Sequence, residues 1–127
     1  MKMVGSNRGR IEHIKLKQPF VLNSNSITEA VIEIDHINFG LNPKTGTLNK
    51  SRRTNFSVAD IEKFLMLLNG EYIAARDYKG KVSRFEIRIN CPIKGQFSGR
   101  QFILVFDTDY SKPNEIHTIT LYPGWKR

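Results

Sequence analysis

Two periods of apolar residues run along this chain, one of two residues and one of three to four, and they divide it into strands and helices. Residues 11–22 mix apolar and basic positions, which predicts a strand. It reads as an edge strand, with Pro19 limiting its regular part because proline cannot donate to a ladder. Ser26-Ile27-Thr28-Glu29 has capping-box spacing, in which serine and glutamate each satisfy an exposed amide at a helix start. Ile27, Ala30, Val31, Ile34 and Ile37 follow at helical spacing, and Gly40 is a suitable stop. The alternation Val31-Glu33-Asp35 also permits a strand, but the cap and the stop favour a helix over residues 27–39.

A polar connection follows over residues 41–55, with turn chemistry in Asn42-Pro43-Lys44-Thr45-Gly46 and then Lys50, Arg52 and Arg53 close together. The second helix has stronger signals. Ser57 and Asp60 have capping-box spacing, and Phe56 can pack on Ile61 as a hydrophobic staple. Ile61, Phe64, Leu65 and Leu68 form its buried stripe, and Asn69-Gly70 ends it. Beyond Gly70 the period shortens. Residues 71–77 read as a strand and Lys79-Gly80 as part of a turn. Phe85, Ile87 and Ile89 alternate with Arg84, Glu86 and Arg88, so the next strand has one polar face. Residues 92–99 form a loop, and the run from Phe102 to Phe106 is apolar on both faces, as in a central strand. Ser111-Lys112-Pro113-Asn114 is a turn, and residues 115–122 are the last strand.

This order predicts an α+β fold, with an N-terminal strand and two helices packed on a C-terminal antiparallel four-stranded sheet. Residues 1–10 read as a flexible basic tail, or a scar left where a domain was cut from a longer chain. Residues 11–127 read as a single domain, which suits a length of 127 residues.

Charge changes the picture of what the chain meets. A formal net charge of +8 and a pI near 9.8 favour a polyanionic partner: RNA, DNA, an acidic protein or an anionic membrane surface. No apolar stretch is long enough to span a membrane, and the N-terminus lacks the apolar core of a signal peptide. The single cysteine, Cys91, excludes an intramolecular disulfide and a multi-cysteine zinc site, and reads as a buried thiol at a strand end. There is no phosphate-binding loop, dinucleotide fingerprint, zinc-protease helix or nucleophile elbow. No metal or other cofactor is expected, because no convincing carboxylate cluster is evident to hold an ion.

The candidate chemistry lies mainly on strands. Alternation puts Thr118, Thr120 and Tyr122 on one side of the last strand, followed by Pro123-Gly124-Trp125. A solvated strand face would look the same. His36, His117 and His13 are the histidines, ranked in that order for proton transfer. His36 reads either as a half-buried helix residue or as a general acid or base, and His117 as facing the helices or a strand end. Arg52 and Arg53, just before a helix start, are either solvated loop residues or phosphate ligands. Arg84 and Arg88 are either paired with nearby carboxylates or in contact with a nucleic-acid backbone. Tyr122 and Trp125 could stack on bases or close the core.

From Ile11 to Tyr122, the element order, size, charge and these polar positions resemble the barnase–EndoU–colicin–RelE superfamily of small endoribonucleases. The resemblance implies metal-independent cleavage of RNA. The positions that match are His36, the run Lys50-Ser51-Arg52-Arg53-Thr54, and Thr118, Thr120 and Tyr122. It implies a catalytic set of His36, Arg53, Thr118, Thr120 and Tyr122, with Lys50 and Arg52 binding the nucleic acid; the residue reading adds Arg84, Arg88 and Trp125 to the binding set. It also implies a toxin or toxin domain acting in the cytoplasm, either free-standing or as the C-terminal part of an exported or phage-encoded protein. Such toxins are held by an acidic antitoxin or immunity protein. The alternatives are a non-catalytic nucleic-acid-binding module and a small protein-interaction domain.

Overall fold

A computed structural model describes residues 9–40, 54–71, 73–74, 77–79 and 82–124. The expected basic tail, apart from Gly9 and Arg10, and the Lys50–Arg53 run lie outside the described residues. In chain order the elements are β1 (Ile11–Leu22), β2 (Asn25–Glu33), α1 (Ile34–Phe39), α2 (Val58–Met66), β3 (Asp77–Lys79), β4 (Val82–Asn90), β5 (Gln101–Asp109) and β6 (Lys112–Pro123). The strands form one six-stranded sheet in the order β1-β2-β6-β5-β4-β3. The run from β3 to β6 is antiparallel, and β6 also pairs in parallel with β2. The expected α+β arrangement of a four-stranded antiparallel sheet carrying two helices is therefore corrected to a six-stranded mixed sheet with two short helices.

The correction originates at residues 27–39. Most of that expected helix is β2, and only Ile34–Phe39 is helical. Asn23 and Ser24, with φ of 48° and 72°, close a two-residue hairpin that pairs β1 with β2. Left-handed residues in both loop positions match the right-handed twist of the flanking strands. The ladder is irregular between Lys15 and Phe20 of β1, opposite Ile27–Glu29 of β2. Ile27 and Ala30, three apart and on either side of that irregularity, are both buried. Ile34 and Ile37, also three apart, are buried by true helical spacing in α1. A single helical period in the sequence thus spans a strand irregularity and a strand–helix junction. The Ser26–Glu29 capping box is not formed, because these residues lie in β2. Gly40 does end α1, with φ of 63° and its N–H donated to the His36 carbonyl.

The second helix starts as its sequence indicates. Ser57 Oγ accepts from the Asp60 amide at 3.1 Å, and an Asp60 carboxylate oxygen accepts from the Ser57 amide at 3.0 Å. Ile61, Phe64, Leu65 and Leu68 are fully buried. Beyond the helix, Asn69 Oδ1 accepts from the Val21 amide at 2.9 Å and the Gly70 amide donates to the Val21 carbonyl at 2.8 Å, fixing that end to β1. Of the strand expected at 71–77, Glu71 forms an isolated bridge with Leu22 and Asp77 begins β3 (Asp77–Lys79), while residues 72, 75 and 76 lie outside the described residues. Asn23 holds Ile73 through two side-chain bonds of 2.7 Å, which binds that residue to the β1–β2 hairpin.

The core fills one side of the sheet. Phe102, Leu104 and Phe106 of β5 are fully buried. Phe56, Phe64, Phe97 and Phe102 meet edge to face, with ring centroids 5.2–6.0 Å apart, and Phe85 stacks on Phe106 at 5.1 Å. Ile103 and Val105, on the other side of β5, are only half-buried, so this central strand is open on one face. Cys91 is buried just past β4, where its amide donates to the Arg100 carbonyl at 2.8 Å. Among the described residues no helix is long and apolar enough to cross a membrane.

Candidate functional site on the open sheet face

The face of the sheet opposite the phenylalanine core is polar. Register places His13, Val31, His117, Asp107 and Arg84 in one row, each opposite the next, across β1, β2, β6, β5 and β4. Partners in a ladder share a face, so these strands aim a line of titratable groups to one side.

At the centre of the row, His117 Nε2 lies 2.8 Å from Glu33 Oε2. Glu33 is buried, with 7% of its side chain exposed, whereas His117 is 32% exposed. A buried carboxylate needs a partner, and the imidazole provides it. The bond also fixes the ring: with Nε2 committed to Glu33, Nδ1 is the nitrogen that can take a further partner. On the neighbouring strands Asp107 takes Arg84 in a two-pronged grip, with Nε at 2.8 Å and Nη2 at 3.0 Å. This charge-assisted fork holds the guanidinium plane across β4 and β5.

Beyond this row the face continues with Thr120 and Tyr122. Thr120 is buried, and the Tyr122 hydroxyl donates to Glu86 at 3.2 Å. Arg88 donates to the Gln101 side chain at 3.0 Å. Gly124 allows the chain to turn close by. A Cβ there would lie 3.3 Å from Ile103 Cγ1 and 3.6 Å from Arg88 Nη1. A shallow cavity of about 210 Å³ opens beside His117, lined also by Asp107, Thr108, Asp109, Lys112 and Glu115.

A second cluster lies along the face. His13 Nε2 is 3.0 Å from Glu29 Oε1 and 3.0 Å from Glu115 Oε2. Three strands, β1, β2 and β6, supply one residue each.

The structure brings together some of the residues expected to act and separates others. Thr120, Tyr122, Arg84 and Arg88 share the open face. Thr118 does not keep the register expected of it: it pairs with Phe106, whereas Thr120 pairs with the adjacent Val105. This bulge interrupts the single alternation expected over Thr118, Thr120 and Tyr122, because an extra residue breaks the register of a strand. His36 is half-buried in α1 and not on a strand. Lys50, Arg52, Arg53 and Trp125 lie outside the described residues. Sequence reasoning missed Glu33 and Asp107. Glu33 was assigned to a helix, and the Val31-Glu33 alternation was the signal that could have found it. Asp107 lies just past the apolar run that drew attention to β5.

No protein-family model, curated protein or solved structure matches this chain.

Proposed function

We propose that the open sheet face binds RNA and cleaves it without a metal, with His117 as the proton-transfer residue. The observation that carries this reading is the 2.8 Å bond between half-buried His117 and buried Glu33, beside the Arg84–Asp107 fork. Histidine suits proton transfer near neutral pH, and a carboxylate on one ring nitrogen orients the other. In the reaction Nδ1 of His117 takes the proton of a ribose 2′-hydroxyl. The 2′ oxygen then forms a bond to the adjacent phosphorus, and the bond from phosphorus to the 5′ oxygen breaks. The departing oxygen takes up a proton from water, which recovers one from protonated His117, leaving a 2′,3′-cyclic phosphate and a 5′-hydroxyl. Tyr122 supplies a hydroxyl for the phosphate oxygens, and Arg88 supplies a cation at the edge of the face. The net charge of +8 supports a polyanionic substrate and also an acidic inhibitor protein, as for a toxin acting on cytoplasmic RNA.

A second reading, a binding module with no reaction, is favoured by one feature. Arg84 and Arg88 are already bonded to Asp107 and Gln101, so a phosphate must compete for them. Incubation of the protein with transfer and messenger RNA in EDTA, with products resolved on a gel, separates the two. Fragments ending in cyclic phosphate, lost in His117→Ala, support cleavage. Salt-dependent binding without product supports the module.

A further inference from the structure

The geometry points to a divalent transition-metal site at His13, Glu29 and Glu115, with Zn²⁺ as its type ion. Glu29 and Glu115 are direct register partners on the parallel strands β2 and β6. Like charges opposite each other destabilise a sheet unless something positive lies between them. His13 reaches the same point from β1, with Nε2 3.0 Å from an oxygen of each carboxylate. One ligand atom from each residue lies within 4.8 Å of the other two. Around a tetrahedral Zn²⁺, neighbouring ligand atoms stand about 3.4 Å apart, from metal–ligand bonds of roughly 2.1 Å. The contacts to nitrogen therefore need to open by only a few tenths of an ångström.

The donor set indicates the kind of ion. One imidazole and two carboxylates suit Zn²⁺, Co²⁺ or Mn²⁺, whereas Mg²⁺ and Ca²⁺ prefer oxygen alone. His13 is 55% exposed and Glu115 19%, so the cluster is open on one side and solvent can complete the coordination. A cavity of about 450 Å³ adjoins all three residues. Lys15, opposite Glu29 on β1, and Lys112, in that cavity, are the competing cations nearby. The ion would tie the edge strand β1 to β2 and β6 next to the β1 irregularity. No step of the cleavage uses it, and the site stands whether or not the protein cuts RNA.

The test is titration of the metal-free full chain with Co²⁺ near neutral pH, read by visible ligand-field absorption. The expected result is saturation at one ion per chain, displacement by Zn²⁺ and no displacement by an equal concentration of Mg²⁺. His13→Ala and the near-isosteric Glu115→Gln, each checked for folding by circular dichroism, should weaken binding by at least the roughly 10–100-fold that losing an outer partner costs. His117→Ala should bind as the wild type does. The assignment is overturned by no saturable absorption in the wild type, by unchanged affinity in both His13→Ala and Glu115→Gln, or by equal loss in His117→Ala. In the first case the cluster is a hydrogen-bonded contact of His13 with two carboxylates and no more.

Discussion

The two faces of the sheet are built from the same strands yet hold together by different means. On the covered face, β5 presents Phe102, Leu104 and Phe106 to the rings of Phe56, Phe64, Phe85 and Phe97, and burial of apolar surface dominates. On the open face the same strand presents Asp107, Val105 and Ile103, and side chains join in polar pairs across the ladder. His117 with Glu33, Arg84 with Asp107 and Tyr122 with Glu86 each link different strands. A sheet needs only one face to bury its core, so the other can carry chemistry. The difference teaches that apolar burial and polar pairing are assigned here by strand parity: neighbouring residues on one strand serve opposite purposes.

That comparison predicts an asymmetry along β5. Phe102→Ala should destabilise the protein by about 3–5 kcal/mol, because it leaves a cavity beneath three other rings. Val105→Ala, one face over and half-buried, should lose only about 1 kcal/mol or less. Urea denaturation of both variants measures this, and equal losses would mean that the two faces are not distinct. A smaller effect is expected at the helix that closes the core. Ser57→Ala removes the side chain that caps α2 and should lower stability by about 1 kcal/mol, read in the same way.

The smallest expected effect concerns Cys91. Burial pushes its thiol above the ordinary range, a hydrogen bond with the backbone of Ile93 opposes this, and the carboxylate of Asp60 adds to it. A thiol whose folded pKa is raised contributes its full stability below its unfolded pKa of roughly 8.5, and loses it as pH rises through the folded value. Native protein should therefore react slowly with a thiol reagent at neutral pH and quickly once unfolded. Equal rates in both states would show that the loop after β4 does not shield this position.

These contrasts also explain what could be read from the sequence. The Ser57–Asp60 cap, the α2 stripe and the antiparallel run through β4, β5 and β6 are local patterns, and each was legible. The β2 strand was not, because its apolar spacing comes from an irregularity paired with β1 and a junction with α1, both tertiary facts. The same reason hid the site. Thr120 and Tyr122 stood out within one strand, but Glu33 and His117 meet only because β2 lies parallel to β6, and parallel pairing leaves no short-range mark. His13, Glu29 and Glu115 come from three strands and could be joined only once the sheet order was known. The bulge beside Thr118 has no signature in a run of alternating threonine and isoleucine.

The central claim, that the open face cuts RNA through His117, is tested most directly by comparing His117→Ala with His36→Ala. Both variants, checked for folding, would be assayed on one labelled RNA in EDTA beside the wild type. Loss of a general acid or base should slow cleavage by about 10²–10⁴-fold in His117→Ala, while His36→Ala keeps close to the wild-type rate. Full activity in His117→Ala, or a loss confined to His36→Ala, would contradict the account.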